Sequence, residues 1–267
     1  MLKENTKIFI PNFFTGLSML VGLISIFYSI KGEYVNAGWW VLMCTVMDKL
    51  DGSAARFLNA STSFGEEFDS LSDFISFGCA PAILVFSYFN HTYAGNQDKI
   101  FYLTVAAAIY IIFCAVRLAK YNSSMAEDKV YFRGLTTTMS GGMIALFMIF
   151  SIEHSEFSYL LSENLIAGML LAHSCLLLVP FKYPKINLAN KKRPFKYMGT
   201  ALLLFCVLLV FMHQLPWLLY GIAVLYVVIG TLMTRKIDLS FVSSEFRDNE
   251  SETSEESGGK EDTENKK

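Results

Sequence analysis

Apolar runs long enough to cross a membrane recur along almost the whole chain and leave few folds open to it. They cover residues 9–30, 34–57, 67–89, 100–118, 136–152, 164–181, 197–213 and 215–234. With 53% hydrophobic and 15% aromatic residues, the chain is more apolar than an ordinary soluble domain. Because a helix of about 20 apolar residues spans the hydrocarbon core of a bilayer, the sequence predicts an all-α integral membrane protein with about eight transmembrane helices.

Basic residues are divided very unevenly between the two sides that eight spans create. One side carries only Lys31 and Lys99. The other side carries Lys3, Lys7, Arg56, Arg117, Lys120, Lys129, Arg133, Lys182, Lys185, Lys191, Lys192, Arg193, Lys196, Arg235 and Lys236. Since loops rich in Lys and Arg remain in the cytoplasm, we expect a multi-pass protein of the cell membrane with both termini on the cytoplasmic side.

The C-terminal segment differs from the rest of the chain in composition. Residues 241–267 contain nine acidic and four basic residues, with no large apolar side chain after Phe246. Such a segment cannot bury enough apolar surface to fold by itself. We therefore predict a polytopic membrane domain at 1–240 and a disordered, acidic cytoplasmic tail at 241–267. The net charge of −2 does not indicate nucleic-acid binding.

Four aspartates interrupt the second and third apolar runs. Asp48 and Asp51 are three residues apart, and Asp69 and Asp73 are four residues apart. These spacings place each pair on one face of its helix. The segment 59–65 is rich in turn-forming residues and joins the two helices as antiparallel neighbours. We expect the four carboxylates to converge near the cytoplasmic edge of the membrane.

Clustered carboxylates in apolar surroundings require a compensating charge. Their hard oxygen ligands favour Mg²⁺ or Mn²⁺, and two such ions suit displacement at a phosphodiester or diphosphate. Arg56, beside the cluster, could hold a phosphate. A divalent-cation transporter is the alternative, because carboxylates inside membranes also mark ion paths. Transport sites usually lie near the bilayer midplane, whereas a cluster at one edge, next to a basic loop, favours chemistry on an anionic substrate.

The same segment resembles the signature of the CDP-alcohol phosphatidyltransferase family, D-x2-D-G-x2-A-R-x8-G-x3-D-x3-D. The fixed positions are occupied by Asp48, Asp51, Gly52, Ala55, Arg56, Gly65, Asp69 and Asp73. The resemblance implies transfer of a phosphatidyl group from a CDP-linked lipid to the hydroxyl of a small alcohol, with release of CMP. Members of this family are often homodimers, so a homodimer is a further expectation.

The resemblance also implies roles for the residues of the motif. Asp48, Asp51 and Asp69 would bind the divalent metal ions. Asp73 would act as the general base on the acceptor hydroxyl and would also contact metal. Four further residues would line the CDP site: Gly52, Ala55, Arg56 and Gly65.

A second pair of segments bears on the acceptor. The segments at 117–122, RLAKYN, and 132–135, FRGL, are similar to R-L-A-R-F-N and F-x-G-L-P-x-P of the family members that use serine. Threonines stand at 136–138, where that branch usually has prolines. The resemblance therefore implies CDP-diacylglycerol and L-serine as substrates, within a bilayer of membrane lipids. Glycerol phosphate, inositol or another alcohol are the alternative acceptors.

The carboxylate of serine requires a cationic partner. Arg117, Lys120 and Arg133 are the candidates, and Arg117 is favoured because it closes an apolar helix. A helix start is predicted at Pro11, where proline suits the first turn. Close helix packing is predicted at Gly141 and Gly142.

Overall fold

The structure is a computed structural model that describes residues 4–58, 60, 62–123, 131–133, 135–179, 182–184 and 216–233. These residues are almost entirely helical. The helices are α1 (Glu4–Ile30), α2 (Tyr34–Leu58), α3 (Ser63–Asp73), α4 (Ala80–Thr92), α5 (Gln97–Ser123), α6 (Thr137–Glu153), α7 (Glu163–Leu178) and α8 (Pro216–Met233).

Three shorter elements complete the described chain. A π-helical turn, Phe74–Cys79, joins α3 to α4 without a break, and a 3-10 helix, Ser155–Leu161, precedes α7. Strands β1 (Tyr131–Arg133) and β2 (Lys182–Pro184) form one antiparallel pair. The predicted all-α class is therefore confirmed, with this small pair of strands added.

Most of the predicted spans coincide with helices whose ends differ from the prediction by less than two turns. Three stretches are long and apolar enough to cross a bilayer by length and composition, namely Phe9–Ile30, Ser63–Thr92 and Gln97–Ser123. Helices α6 and α7 and the first part of α8 are shorter apolar helices. The run at 197–213 and the tail at 241–267 lie outside the described residues. The total of eight spans therefore stays a prediction.

The predicted helix start at Pro11 is wrong. Helix α1 begins at Glu4, and Pro11 lies inside it as a buried residue. Proline in a helix interior removes one backbone donor and usually bends or ends the helix. Here the hydroxyl of Thr15 lies 3.1 Å from the carbonyl oxygen of Pro11, within hydrogen-bond distance.

Helix α1 packs against both α2 and the continuous α3–α4 helix, and buried serines join them. The hydroxyl of Ser25 on α1 donates to the carbonyl oxygen of Ala37 on α2 at 2.8 Å. The hydroxyl of Ser72 on α3 donates to the carbonyl oxygen of Thr15 on α1 at 3.1 Å. Small hydroxyl residues at such interfaces let helix backbones approach closely while keeping every polar group paired. These contacts fix α2 and α3 against α1.

The π-helical turn is held by helices α1, α5 and α6. The hydroxyl of Tyr110 on α5 donates to the carbonyl oxygen of Phe77 at 2.8 Å. Gly141 on α6 lies so close that a Cβ atom built there would be 2.7 Å from this oxygen and 2.8 Å from the Cα atom of Phe77. A Cβ atom at Gly22 on α1 would lie 3.0 Å from the Cα atom of Ser76. The turn that follows Asp73 is therefore packed by backbone contact.

These contacts predict opposite effects for two adjacent glycines. Gly141→Ala forces apart the backbones of α6 and the π-helical turn, and we expect a loss of about 1–3 kcal/mol in the free energy of unfolding. At Gly142 the nearest atoms to an added Cβ are 3.9 Å away. Gly142→Ala is the matched control, and we expect a gain of up to about 1 kcal/mol because alanine favours the helix.

The measurement is the thermal unfolding midpoint of the detergent-solubilised protein. A lower midpoint for Gly141→Ala beside an unchanged or higher one for Gly142→Ala agrees with the packing described. Equal midpoints for the two variants would contradict it.

Candidate active site

Three of the four motif aspartates meet at one end of the bundle. Asp48 and Asp51 come from the last turns of α2, and Asp69 comes from α3. One carboxylate oxygen of each residue lies within 4.8 Å of the others. Asp51 is buried, whereas Asp48 and Asp69 are partly exposed. The two helices therefore face each other through three of the four carboxylates that were expected to converge, and Asp73 is not part of this group in the described structure.

Asp51 is held on both of its oxygens. The hydroxyl of Thr15 on α1 lies 3.0 Å from Oδ2 of Asp51, and the backbone amide of Gly52 donates to Oδ1. Thr15 is itself buried, at 3% exposure. No spacing in the sequence predicts this role of Thr15. A polar residue in the apolar sequence of α1, at the end of the bundle that carries the aspartates, was the available signal.

Asp48 has a cationic neighbour at the surface. The Nζ atom of Lys49 lies 3.4 Å from Oδ2 of Asp48, and 57% of the lysine side chain is exposed. An ion pair of this kind is screened by solvent and contributes little to stability. Lys49 therefore leaves most of the negative charge of the cluster uncompensated.

Asp73 lies one turn after Asp69 and bonds to a different set of residues. Its Oδ2 accepts a hydrogen bond from the hydroxyl of Thr137, at the start of α6, at 3.4 Å. The same hydroxyl oxygen accepts from Nη1 of Arg117 on α5 at 3.2 Å. Arg117 is buried, at 9% exposure, and its Nε–H has no partner in the described structure. Its guanidinium carbon lies 5.9 Å from the centre of the Tyr121 ring.

The end of α5 is tied to α3, which places Arg117 beside the aspartates. The amide oxygen of Asn122 accepts from the hydroxyl of Ser70 at 3.1 Å. The amide nitrogen of Asn122 donates to Glu67 at 3.1 Å. Both partners lie within one turn of Asp69 or Asp73 on α3. These bonds fix the position of α5, and with it Arg117, relative to the carboxylates.

The other predicted acceptor residues are placed differently. Lys120 is exposed near the end of α5. Arg133 is part of β1, where it pairs with Lys182 of β2, but its side chain lies outside the described residues. Arg117 is thus the acceptor candidate that the structure places beside the aspartates.

The residues predicted to line the CDP site lie on both sides of the aspartates. Gly52 and Ala55 are partly buried on α2, and Arg56 belongs to the same helix, with a side chain outside the described residues. The amide of Gly65 donates to the hydroxyl of Thr62, which caps α3. A Cβ atom at Gly65 would lie 3.0 Å from the side-chain oxygen of Asn12. Glycine at this position permits the close approach of α1 to α3.

The arrangement fits a divalent cation. Carboxylate oxygens are the ligands that Mg²⁺ and Mn²⁺ prefer, and Asp48, Asp51 and Asp69 offer three of them at coordinating separations. Uncompensated charges so close together are unfavourable in apolar surroundings. The donor set and the surplus of negative charge therefore both agree with metal binding.

Comparison with known proteins agrees with the motif. The sequence profile of CDP-alcohol phosphatidyltransferases matches residues 8–181. CDP-diacylglycerol–serine O-phosphatidyltransferase of Helicobacter pylori strain J99 is 30% identical over 203 residues, which cover 76% of this chain and 79% of the relative. Archaetidylserine synthase of Methanothermobacter thermautotrophicus is 30% identical over 188 residues, which cover 69% of this chain and 73% of the relative.

CDP-diacylglycerol–serine O-phosphatidyltransferase of Saccharomyces cerevisiae is 32% identical over 134 residues, which cover 46% of this chain and 45% of the relative. The profile match covers most of the chain and includes every residue of the aspartate motif. This chain belongs to the CDP-alcohol phosphatidyltransferase family.

Proposed function

We propose that this protein is a membrane enzyme that transfers the phosphatidyl group of CDP-diacylglycerol to the hydroxyl of L-serine, giving phosphatidylserine and CMP. The observation that carries the proposal is the meeting of the motif aspartates with the buried Arg117 at one end of the bundle. The names of two relatives that match most of this chain, one acting on serine and one an archaetidylserine synthase, support serine as the acceptor.

Asp48, Asp51 and Asp69 are the residues that would hold Mg²⁺ or Mn²⁺, with two ions expected and Asp73 as a further ligand. Bound ions would neutralise the diphosphate of the CDP-lipid and stabilise CMP as the leaving group. Gly52, Ala55, Arg56 and Gly65 would contact the CDP moiety. Gly52 has no side chain to obstruct the approach of a nucleotide to α2.

Asp73 is the residue proposed to activate the acceptor. It takes the proton of the serine hydroxyl, whose oxygen forms a bond to the phosphorus of the phosphatidyl group. The bond between that phosphorus and the CMP oxygen breaks, and CMP leaves with the electron pair. The site supplies a base and ligands for this direct displacement. Trapping of a phosphatidyl-enzyme intermediate would contradict it.

Arg117 is proposed to bind the carboxylate of serine. Its guanidinium is buried and keeps an unpaired Nε–H, so a carboxylate arriving there gains a charge-assisted hydrogen bond. A transferase for glycerol phosphate would instead need a phosphate pocket. The single buried arginine beside the aspartates in the described structure fits one carboxylate better.

The orientation in the membrane is also a proposal. The aspartates and Arg117 lie at the end of the bundle where the loops are basic, which we place in the cytoplasm together with both termini. At the opposite end Lys99 pairs with Glu163, which also accepts from the Tyr93 hydroxyl at 2.7 Å. These bonds lower the pKa of Glu163 to about 2. A homodimer is expected from the family resemblance, and cross-linking in the native membrane tests it.

The first prediction concerns the reaction itself. Purified protein with CDP-diacylglycerol and Mn²⁺ or Mg²⁺ is given serine, glycerol 3-phosphate or inositol separately, and CMP release and the lipid product are measured. We expect release that depends on serine and on the metal ion. Release with another alcohol would retain the family chemistry and refute serine as the acceptor. Metal flux in vesicles without CMP release would favour a transporter.

The second prediction concerns the metal-binding aspartates. Asp48→Asn, Asp51→Asn and Asp69→Asn should each lower turnover by at least about 100-fold, because an amide cannot replace a charged ligand. Manganese binding, followed by electron paramagnetic resonance, should weaken in the same variants. Glu66→Gln is the matched control, since Glu66 is an exposed acidic residue one turn before Asp69. Full manganese binding in two of the aspartate variants would refute the assignment.

The third prediction concerns Arg117. Arg117→Gln removes the charge beside the acceptor, and we expect the KM for serine to rise by about 10–100-fold, the loss typical of a hydrogen bond to a charged group. The KM for CDP-diacylglycerol should change less than about threefold. Lys120→Gln provides the comparison. A larger effect of Lys120→Gln on serine, or of Arg117→Gln on CDP-diacylglycerol, would reassign the acceptor site.

A further inference from the structure

One buried hydroxyl connects the two groups that are proposed to handle the acceptor. Thr137 is 1% exposed and is the first residue of α6. Its oxygen accepts from Nη1 of Arg117 at 3.2 Å, and its hydroxyl donates to Oδ2 of Asp73 at 3.4 Å. Helices α3, α5 and α6 therefore meet at this side chain.

The direction of these two bonds follows from the available protons. A guanidinium has only donors, so the oxygen of Thr137 must accept from Arg117. The single hydroxyl proton is then left for Asp73, whose Oδ2 is the acceptor. Thr137 contacts Oδ2 of Asp73, which leaves Oδ1 for another partner, and the buried Nε–H of Arg117 has no partner within the described residues. One is an acceptor and the other is a donor, as an acceptor alcohol with a carboxylate requires.

The backbone around Thr137 is fixed independently of the site. The hydroxyl of Thr136 caps α6 by accepting from the amide of Met139 at 3.2 Å. The amide of Leu135, a fully buried residue, donates to the carbonyl oxygen of Leu176 on α7 at 3.0 Å. A β-branched side chain has few allowed rotamers. The hydroxyl of Thr137 is thus held in place before any substrate binds.

We propose that Thr137 is a positioning residue that sets the separation between Asp73 and Arg117, and that this separation selects acceptors whose hydroxyl and carboxylate lie on a three-carbon unit, as in serine. The proposal rests on the proposed function, in which Asp73 takes the hydroxyl proton and Arg117 binds the carboxylate. The bond from Thr137 to Asp73 is long for an O–H···O contact. Such bonds tighten when a substrate completes the site.

The experiment compares three variants of the full-length enzyme in detergent with Mn²⁺ and CDP-diacylglycerol. Thr137→Val removes the hydroxyl and keeps the shape, and Thr137→Ser keeps the hydroxyl. Thr138→Val is the matched control, because Thr138 is the adjacent residue of the same type and is only partly buried. KM and kcat are measured for L-serine, and L-homoserine, which is one methylene longer, is measured as an acceptor or as a competitive inhibitor.

We expect Thr137→Val to raise the KM for serine by about tenfold or more, the cost of losing hydrogen bonds to two charged groups. The preference for serine over homoserine should fall by a similar factor, while the KM for CDP-diacylglycerol stays within about twofold. Thr137→Ser should restore the preference, and Thr138→Val should behave as the unaltered enzyme.

Three results would overturn the proposal. They are an unchanged serine KM in Thr137→Val, an equal loss for serine and homoserine, and a failure of Thr137→Ser to restore the preference. Unfolding midpoints are recorded for every variant, and Thr137→Ala replaces the valine variant if that one does not fold. Unaltered enzyme that releases CMP with another alcohol and not with serine would refute the proposed function instead, before any variant is compared.

Discussion

Asp48, Asp51 and Asp69 bring carboxylate oxygens within 4.8 Å of one another in an otherwise apolar helical bundle. Two unit charges about 5 Å apart repel by about 3 kcal/mol at an effective dielectric constant of about 20. Contacts between the helices can offset this repulsion, and cations that bind the cluster can neutralise it. The close packing of α1, α2 and α3 supplies such contacts, and the carboxylate oxygens are suitable ligands for cations.

The packing that holds the site depends on small and hydroxyl side chains. The π-helical turn after Asp73 contacts the backbone at Gly141, and Tyr110 donates to the carbonyl oxygen of Phe77 in that turn. A π-helical turn disrupts the regular pairing of an α-helix, so its carbonyl groups need such partners. Because Asp73 directly precedes the turn, the same contacts restrict the position of its carboxylate. Stability of the bundle and geometry of the site therefore have a common origin.

Residue spacing along a single helix was enough to predict which residues share a face. Contacts made by side chains from other helices could not be predicted from that spacing. Separations of three and four residues placed the aspartates on facing surfaces of α2 and α3, and the structure agrees. Thr15 and Thr137 reach the aspartates from α1 and α6, and no spacing relates them to the motif. The predicted start of α1 was wrong because the helix continues through Pro11. Close helix packing was expected at both Gly141 and Gly142. The structure shows it at Gly141, whereas Gly142 has room for a side chain.

The two threonines explain how the site can be ordered and still remain reactive. A direct ion pair between Arg117 and Asp73 would use the charge of both residues in holding each other. In the described structure they are joined through the hydroxyl of Thr137 instead, and Thr15 likewise contacts Asp51 with a neutral group. A hydroxyl orients a carboxylate without cancelling its charge, so the aspartates keep their attraction for cations and Arg117 keeps its attraction for an anion. In the proposed reaction, cations held by the aspartates would face the diphosphate of CDP-diacylglycerol, and Arg117 would face the carboxylate of serine.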